Sequence, residues 1–429
     1  MHSMHTIRTS RTLIAVLAGC LVFLFAASAT PFLARASSST PSHAVRPAIT
    51  TNCPAPGTAN AASMPPLTLG SDPNIVYIVN ESAPFQGTLK RYDSVTGSKV
   101  EVVKLANTSI SEAQVSGDGQ WLMFVAQVAG QSKLQLVRMD GQFLQTLFCA
   151  SAPSGENPGV ALNGVQWSVD QKLAVFASGS SIDLLNVPTG TLQTELTLPS
   201  KSSVIAIHPR TWLDFTRAYV TLQGTDAPPE MLAILDTSKG PNQSVQNLQV
   251  AFDASPSTPF CWDFDSSFDG KSLFTSQCTA KSLIPGPGEE PCCGPSVIAG
   301  RSPTGGPGYS YVFVNQAQAF TAVRAVTPTT LLFTVGNASG DTSQNGVWKV
   351  GTDGSSPLRL APSGEFNQFT QFPWSNVSRD STKYALQIVS STASSTTYTL
   401  EYGSLSGGSP IVFASITGVQ LATVGWTTM

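Results

Sequence analysis

From Ile75 onward the chain alternates between apolar runs of strand length and short polar turns, and the turns recur. They read YDSVTGSK at Tyr92–Lys99, RMDGQ at Arg138–Gln142, NVPTGT at Asn186–Thr191, LDTSKG at Leu235–Gly240, VGTDGSSP at Val350–Pro357 and YGSLSGGSP at Tyr402–Pro410. Their glycines, Gly97, Gly141, Gly190, Gly240, Gly354 and Gly408, follow one another at about fifty residues, except that the step from Gly240 to Gly354 is about twice as long. One unit therefore reads as having lost its marker. Within a unit a strand runs into an Asp- or Gly-bearing turn and a second apolar strand, as in AQVSGDGQWLMFVAQ (Ala113–Gln127), VQWSVDQKLAVFAS (Val165–Ser178), WDFDSSFDGKSLFTS (Trp262–Ser276) and FPWSNVSRDSTKYALQIV (Phe372–Val389). Leu122 with Phe124, and Leu173 with Val175, show the period-two alternation of a strand. A third strand ends at the marker turn and a fourth, more polar one follows. Four strands repeated at this period predict an all-β fold, the β-propeller, with one four-stranded blade per repeat.

Counting from Ile75, Ser111, Gly164, Ser203, Phe260, Thr321 and Phe369 gives seven blades; six or eight also fit, because the stretch 260–320 is irregular. The first unit starts directly at its second strand, Ile75–Val79. The C-terminal run Val419–Trp426 matches a first strand and has nothing after it. The expectation is that this last strand joins the first blade and closes the ring, which also protects the sheet edges.

The first 36 residues read as an export leader or an N-terminal membrane anchor. Arg8 and Arg11 precede an uncharged apolar run, and Ala27-Ser28-Ala29 and Ala34-Arg35-Ala36 are small-x-small cleavage candidates. Leu13–Leu33 is long enough to span a bilayer uncut. Leu17-Ala18-Gly19-Cys20 resembles a lipidation site, but the apolar residues after Cys20 favour the other two readings. Residues 37–66, rich in Ser, Thr, Pro and Ala, form a linker, and 67–429 the propeller. All three readings place the body outside the cytoplasm, and the membrane enters only through a possible anchor.

Composition narrows the function. Charged residues make up 11% of the chain and the formal net charge is −3, against a usual charged share of about a quarter. Nucleic acid is excluded as a partner, because it calls for a basic surface. His208 is the one histidine of the expected body, too few for a His-rich metal site; it reads as a strand-end histidine. No G-x-S-x-G nucleophile elbow occurs. Asp263, Asp265 and Asp269 form D-x-D-x-x-x-D-G. Trp262, Phe264 and Phe268 interleave with these acids, which favours a strand with a polar, channel-facing side over a calcium loop, whose spacing differs. No cofactor is expected, calcium being the one alternative.

Beyond Cys20 six cysteines remain, Cys53, Cys149, Cys261, Cys278, Cys292 and Cys293. An even number in an exported chain points to disulfides. Cys261 and Cys278 flank the Asp269-Gly270 turn symmetrically and would face each other in a hairpin. Cys292 and Cys293 staple a Pro/Gly-rich insertion, Ser282–Tyr309, that carries Glu289, Glu290 and Arg301 and is a candidate recognition surface. Its binding candidates, with Asp263, Asp265 and Asp269, complete the set.

The turn "WS-x-D-x-K, apolar strand, D-x-x-G" resembles the TolB-like and WD40-like propeller repeat of bacterial periplasmic and secreted proteins. Trp167-Ser168-Val169-Asp170-Gln171-Lys172 and Ser116-Gly117-Asp118-Gly119-Gln120 lie nearest its WSPDGK turn, with Val169 where the repeat usually has Pro. The resemblance covers nearly all of Asn74–Met429. It implies the fold far more than an activity, since that group includes binding modules, scaffolds and non-catalytic domains of peptidases. The expected function is an exported module binding a protein or small ligand. The rival expectation is a propeller enzyme, lactonase-like, glycosidic or sugar-oxidising, with acids or a metal at the channel mouth.

Overall fold

In the computed structural model, residues 52–55, 57–58 and 65–429 are described, apart from 129, 152–160, 200–203, 225–230, 254–260, 268, 279–295, 316–317, 338–341 and 368–371. The expected leader and most of the expected linker lie outside these residues. The body is all-β, a propeller of seven antiparallel blades.

From the channel outward, blade 1 comprises Gln420–Thr427, Asn74–Ser82, Phe85–Asp93 and Lys99–Ala106. Blade 2 comprises Ser109–Val115, Trp121–Val128, Gln131–Arg138 and Gln145–Ser151, and blade 3 Leu162–Trp167, Leu173–Ser178, Ser181–Asn186 and Leu192–Thr197. Blade 4 runs through Val204–Trp212, Arg217–Gly224, Met231–Asp236 and Gln249–Asp253, and blade 5 through Cys261–Ser266, Leu273–Cys278, Ser296–Arg301 and Tyr309–Asn315. Blade 6 holds Phe320–Thr327, Thr330–Val335, Gly346–Gly351 and Leu358–Ala361. Blade 7 has three strands, Lys383–Ser391, Thr396–Ser404 and Ile411–Thr417.

The ring closes as the sequence predicts. Gln420–Thr427 pairs antiparallel with Asn74–Ser82, with Trp426 opposite Ile75 and Leu421 opposite Val79. The core is not one mass but a set of seams, one between each pair of neighbouring blades. Leu122, Phe124 and Ala126 face blade 1, against Val76 and Ile78. Their alternates Trp121, Met123 and Val125 face blade 3, against Val165, Trp167 and Phe176. The period-two pattern thus separates two buried faces, not a buried face from a wet one. That is why Trp121–Ala126 is apolar at every position.

The turn between first and second strands has a local chemical cause. In blade 2, Ser116 Oγ donates to Asp118 Oδ1 at 2.6 Å and accepts the Trp121 N–H at 2.9 Å, and Asp118 Oδ1 accepts the Gln120 N–H at 3.0 Å. The same Ser-x-Asp lock recurs at Ser168 and Asp170, Ser267 and Asp269, and Ser378 and Asp380. Short polar side chains that bond the backbone a few residues on are what a tight turn favours.

The marker glycine missing between Gly240 and Gly354 is present after all. It is Gly305, in the turn after Ser296–Arg301, with φ of 87°. Extra chain between the second and third strands of blade 5 displaces it. Besides its left-handed backbone, this glycine leaves no room for a side chain: a Cβ would stand 2.4 Å from the carbonyl oxygen of Val250 on blade 4. Gly354 meets Val312 of blade 5 in the same way, at 2.1 Å. The repeat therefore keeps glycine at these turns for blade-to-blade contact as well as for turn geometry.

Two further corrections concern blades 5 and 7. The expected insertion Ser282–Tyr309 is shorter than it reads, because Ser296–Arg301 is the third strand of blade 5 and the residues after it form the marker turn. In blade 7 the expected first strand is not present among the described residues. Single bridges join Glu365 to Gln387 and Val377 to Tyr384, and Pro373–Asn376 between them is a helical turn. Pro373 at its start lacks the N–H that a strand ladder needs but suits a first helical turn.

That turn packs as a plug against the inner strands of blades 1, 2 and 6. Trp374 Nε1 donates to the Val115 carbonyl at 2.9 Å. Arg379, just after it, donates to the carbonyls of Gly117 at 2.6 Å, Ser116 at 2.8 Å and Trp426 at 3.2 Å, with its guanidinium 4.5 Å from the Trp374 ring centroid. The leading segment is also fixed: Cys53 is disulfide-bonded to Cys149 on the outer strand of blade 2, and the Leu67 N–H donates to Gln120 Oε1 at 2.5 Å.

Candidate functional site

An inner strand has one edge paired within its blade and one edge facing the channel. Unpaired N–H groups on that edge need acceptors. Blade 2 supplies them to blade 3 from alternate positions: Glu112 Oε2 accepts the Val165 N–H at 2.8 Å and Gln114 Oε1 the Trp167 N–H at 2.9 Å. Blade 5 does the same for blade 6. Asp263 Oδ2 accepts the Val323 N–H at 3.2 Å and Asp265 Oδ2 the Ala325 N–H at 2.8 Å. Asp263-x-Asp265 is thus the counterpart of Glu112-x-Gln114, a cross-blade zip. Burial pushes the Glu112 carboxyl up to about 7, against the pull of two backbone N–H groups. Burial likewise pushes Asp265 up to about 8, against the nearby Arg324 and its own backbone bonds.

The interrupted seventh blade leaves a cavity of about 580 Å³ over blades 5 to 7. Its walls include the link between the second and third strands of blade 6 (Gly336, Asn345) and the crossing Pro362–Phe366, so it opens opposite the Ser-x-Asp turns. Its polar groups centre on Asp263. Arg324 Nη1 donates to Asp263 Oδ2 and to the Val323 carbonyl, and the Arg324 side chain is buried. Arg210, from the inner strand of blade 4, is held loosely, with Nη2 3.9 Å from Asp263 Oδ1 and a third of its side chain exposed. Arg324 Nε is buried without a hydrogen-bond partner. Trp262 forms a half-buried aromatic wall stacked on Phe264, and Glu365 and Gln387 stand on the blade 7 side.

The expected site residues are thereby divided. Asp263 lines the cavity and Asp265 lies buried behind it. Asp269 is elsewhere, in the Ser-x-Asp turn, where Ser267 Oγ and the Lys271 N–H hold its carboxylate down at about 2. Arg301 belongs to a blade strand, not to an insertion; it lies 4.8 Å from the ring centroids of Phe252 and Tyr309 and its Nε donates to Thr275 Oγ1 at 3.1 Å. Asp269 and Arg301 line a second, more open hollow with Lys271 and Tyr309 on the turn face. Glu289, Glu290, Cys292 and Cys293 lie outside the described residues. Cys261 and Cys278 are register partners on neighbouring strands. His208 is mid-strand, its Nδ1 3.1 Å from Asn163 Oδ1 of blade 3. Among the described residues no three His, Cys, Asp or Glu side chains are grouped to hold a metal ion.

Arg210, Arg324, Glu365 and the plug escape a reading of the sequence. One trace was there: Arg324 is the lone charge in the apolar strand FTAVRAVT, and a buried arginine calls for a carboxylate opposite.

No protein-family profile matches the chain, and no curated protein matches it. Solved structures do. TolB from Acinetobacter baumannii is similar at 11% identity over 83% of this chain and 82% of its own, with a TM-score of 0.43. The chain is a seven-bladed propeller. A functionally unknown protein from Desulfotomaculum acetoxidans is similar at 11% identity over 82% of this chain and 99% of its own (TM-score 0.48). A puromycin-hydrolysing peptidase from Mycobacterium tuberculosis matches at 11% identity over 72% of this chain and 52% of its own (TM-score 0.47). Likeness at this level is one of fold alone.

Proposed function

We propose that this protein is an extracytoplasmic propeller that binds a small ligand or protein partner without transforming it, using the cavity over blades 5 to 7. The observation that carries the reading is how the acids there are employed. Asp263 Oδ2 is bonded to Arg324 and to a backbone N–H while Oδ1 faces Arg210 at 3.9 Å, and Asp265 is buried against backbone N–H groups. Carboxylates tied this way hold blades together and are poorly placed as general bases, which must reach the substrate proton. A largely preformed cavity with a few convergent polar groups and an aromatic wall suits binding. The strand ending at Cys278 and the strand beginning at Ser296 do so on the face where the cavity opens, which supports including Glu289, Glu290 and the two adjacent cysteines in the same proposal as a recognition surface. The Cys53–Cys149 bond and the apolar leader support a place outside the cytoplasm.

The test fills the cavity. Ser363→Trp places a large ring at its exposed wall. Thermal unfolding should stay unchanged while ligand or partner capture, read by co-purification and mass spectrometry, falls. Full retention of every captured species by Ser363→Trp, or turnover of an ester, lactone or glycoside panel that the substitution abolishes, overturns the reading.

A further inference from the structure

We infer that the cavity selects a small hydroxylated carboxylate, received by the Arg210 guanidinium with the Arg324–Asp263 pair behind it; this rests on the binding reading above. Arg324 is committed: it is buried, bonded to Asp263 and to the carbonyl of Val323. Arg210 is not. Its contact with Asp263 spans 3.9 Å and its side chain keeps a third of its exposure, so it retains donors for a second anion. An arginine fork matches a carboxylate with two parallel N–H···O bonds.

Charge then decides between anions. Arg210 and Arg324 face Asp263 and Glu365 across the same cavity, so the fixed charges nearly cancel. A monoanion gains one guanidinium and meets modest repulsion from Glu365, which is solvent-exposed. A phosphate dianion doubles attraction and repulsion alike but costs far more to strip of water, a cost that rises with the square of its charge. The remaining walls suit hydroxyl groups. Gln387 and Glu365 offer planar polar ends, and Thr321 Oγ1 and Thr334 Oγ1 form a hydroxyl pair at 2.7 Å. The Trp262 ring offers a flat apolar face, on which the C–H side of a hydroxylated ligand can rest.

Calorimetric titration of the mature chain tests this with three hydroxylated carboxylates (D-galacturonate, D-gluconate and citrate), with D-galactose as the neutral counterpart and with inorganic phosphate. At least one carboxylate should bind more tightly than galactose and phosphate. Arg210→Gln should weaken that binding roughly tenfold or more, as expected for loss of a charge-assisted pair, with no change in melting. Glu365→Gln should tighten it a few-fold by removing a like charge. Galactose binding as tightly as galacturonate, phosphate outcompeting all three carboxylates, an unaffected Arg210→Gln, or no binding by any carboxylate overturns the inference. The broader binding reading survives those results if Ser363→Trp still blocks galactose, phosphate or a captured partner, so the two failures are distinguishable.

Discussion

Blade 1 takes its innermost strand from the far end of the chain, while blade 7 beside it shows no innermost strand among the described residues and has the helical turn Pro373–Asn376 at that position. In blade 1 the ladder runs from Asn74 against Thr427 to Asn80 against Gln420, and Leu421, Val424 and Trp426 are fully buried. In blade 7 two isolated bridges stand where a ladder would be, and the cavity opens next to them. The two neighbours show what an inner strand does. Where it is present the ring is sealed; where it is missing the same architecture yields a hollow with polar walls and a plug below it. Four experiments break or sharpen this contrast.

The largest effect should come from deleting Val419–Met429. Burying each large apolar side chain contributes about 1.5–3 kcal/mol, and the total stability of a domain is about 5–15 kcal/mol. Losing Leu421, Val424 and Trp426 with a whole ladder removes most of it and leaves two open edges. The truncated chain should be insoluble or lack a cooperative melting transition; a normal transition would show that blade 1 does not need its borrowed strand.

Blade 5 keeps a complete inner strand by other means. Cys261 and Cys278 are backbone register partners at the far end of its first hairpin, and a disulfide is expected there. Peptide mapping without reductant should recover the linked pair. Replacing both by Ser should lower stability by about 3 kcal/mol, the scale for a short closed loop. Two free thiols, or other partners for each, would refute the pairing.

The plug of blade 7 leans on the inner strand of blade 1 at Gly425. A Cβ there would lie 2.9 Å from the Trp374 carbonyl oxygen and 3.2 Å from Val115 Cγ2. Gly425→Val should cost about 2 kcal/mol by overpacking, seen as a lower melting temperature and increased exposure of Trp374 to a fluorescence quencher. If neither changes, the plug and the closing strand are independent.

The last effect is in pH. Asp265 is raised to about 8 by burial, above an unfolded value of about 3.9. Below about pH 4 it is protonated folded or unfolded, and its contribution is fully present. As pH rises from about 4 towards 8 the unfolded chain releases the proton first, so stability falls by up to about 1.4 kcal/mol per pH unit. Glu112, raised to about 7, adds in the same direction. The closing strand of blade 1 carries no carboxylate; Asp183, Glu195 and Glu401, also raised by burial, tilt the curve the same way. Asp265→Asn should flatten the decline of melting temperature between pH 5 and 8; an unchanged slope would remove the buried acid from the account.

The fold was legible because its determinants are local. Ser116, Ser168, Ser267 and Ser378 with their Asp partners write four of the first turns within a few residues, and closure followed from two ends that complete one unit. Gly305 was hidden by extra chain before Ser296, which shifted the period without altering the turn. The site was far less legible. Asp263 and Asp265 stood out by charge, but their partners Val323, Arg324 and Ala325 lie about sixty residues on. The cavity is made by what blade 7 lacks, and FPWSNVSRD reads as readily as a strand and turn until Pro373 is weighed against the ladder it would have to join.

The disulfide between Cys53 and Cys149 decides how this molecule bears a load. Strand order alone would deliver any pull on the leading segment to Asn74, at the non-covalent zip that shuts the ring. With the cross-link in place, tension is diverted through a covalent bond into the rim of blade 2, and the zip between Asn74–Ser82 and Gln420–Thr427 stays slack. Reduction of that one bond leaves only the hydrogen bonds of Pro65 and Leu67 to blade 2, among the described contacts, between such a pull and the closing seam.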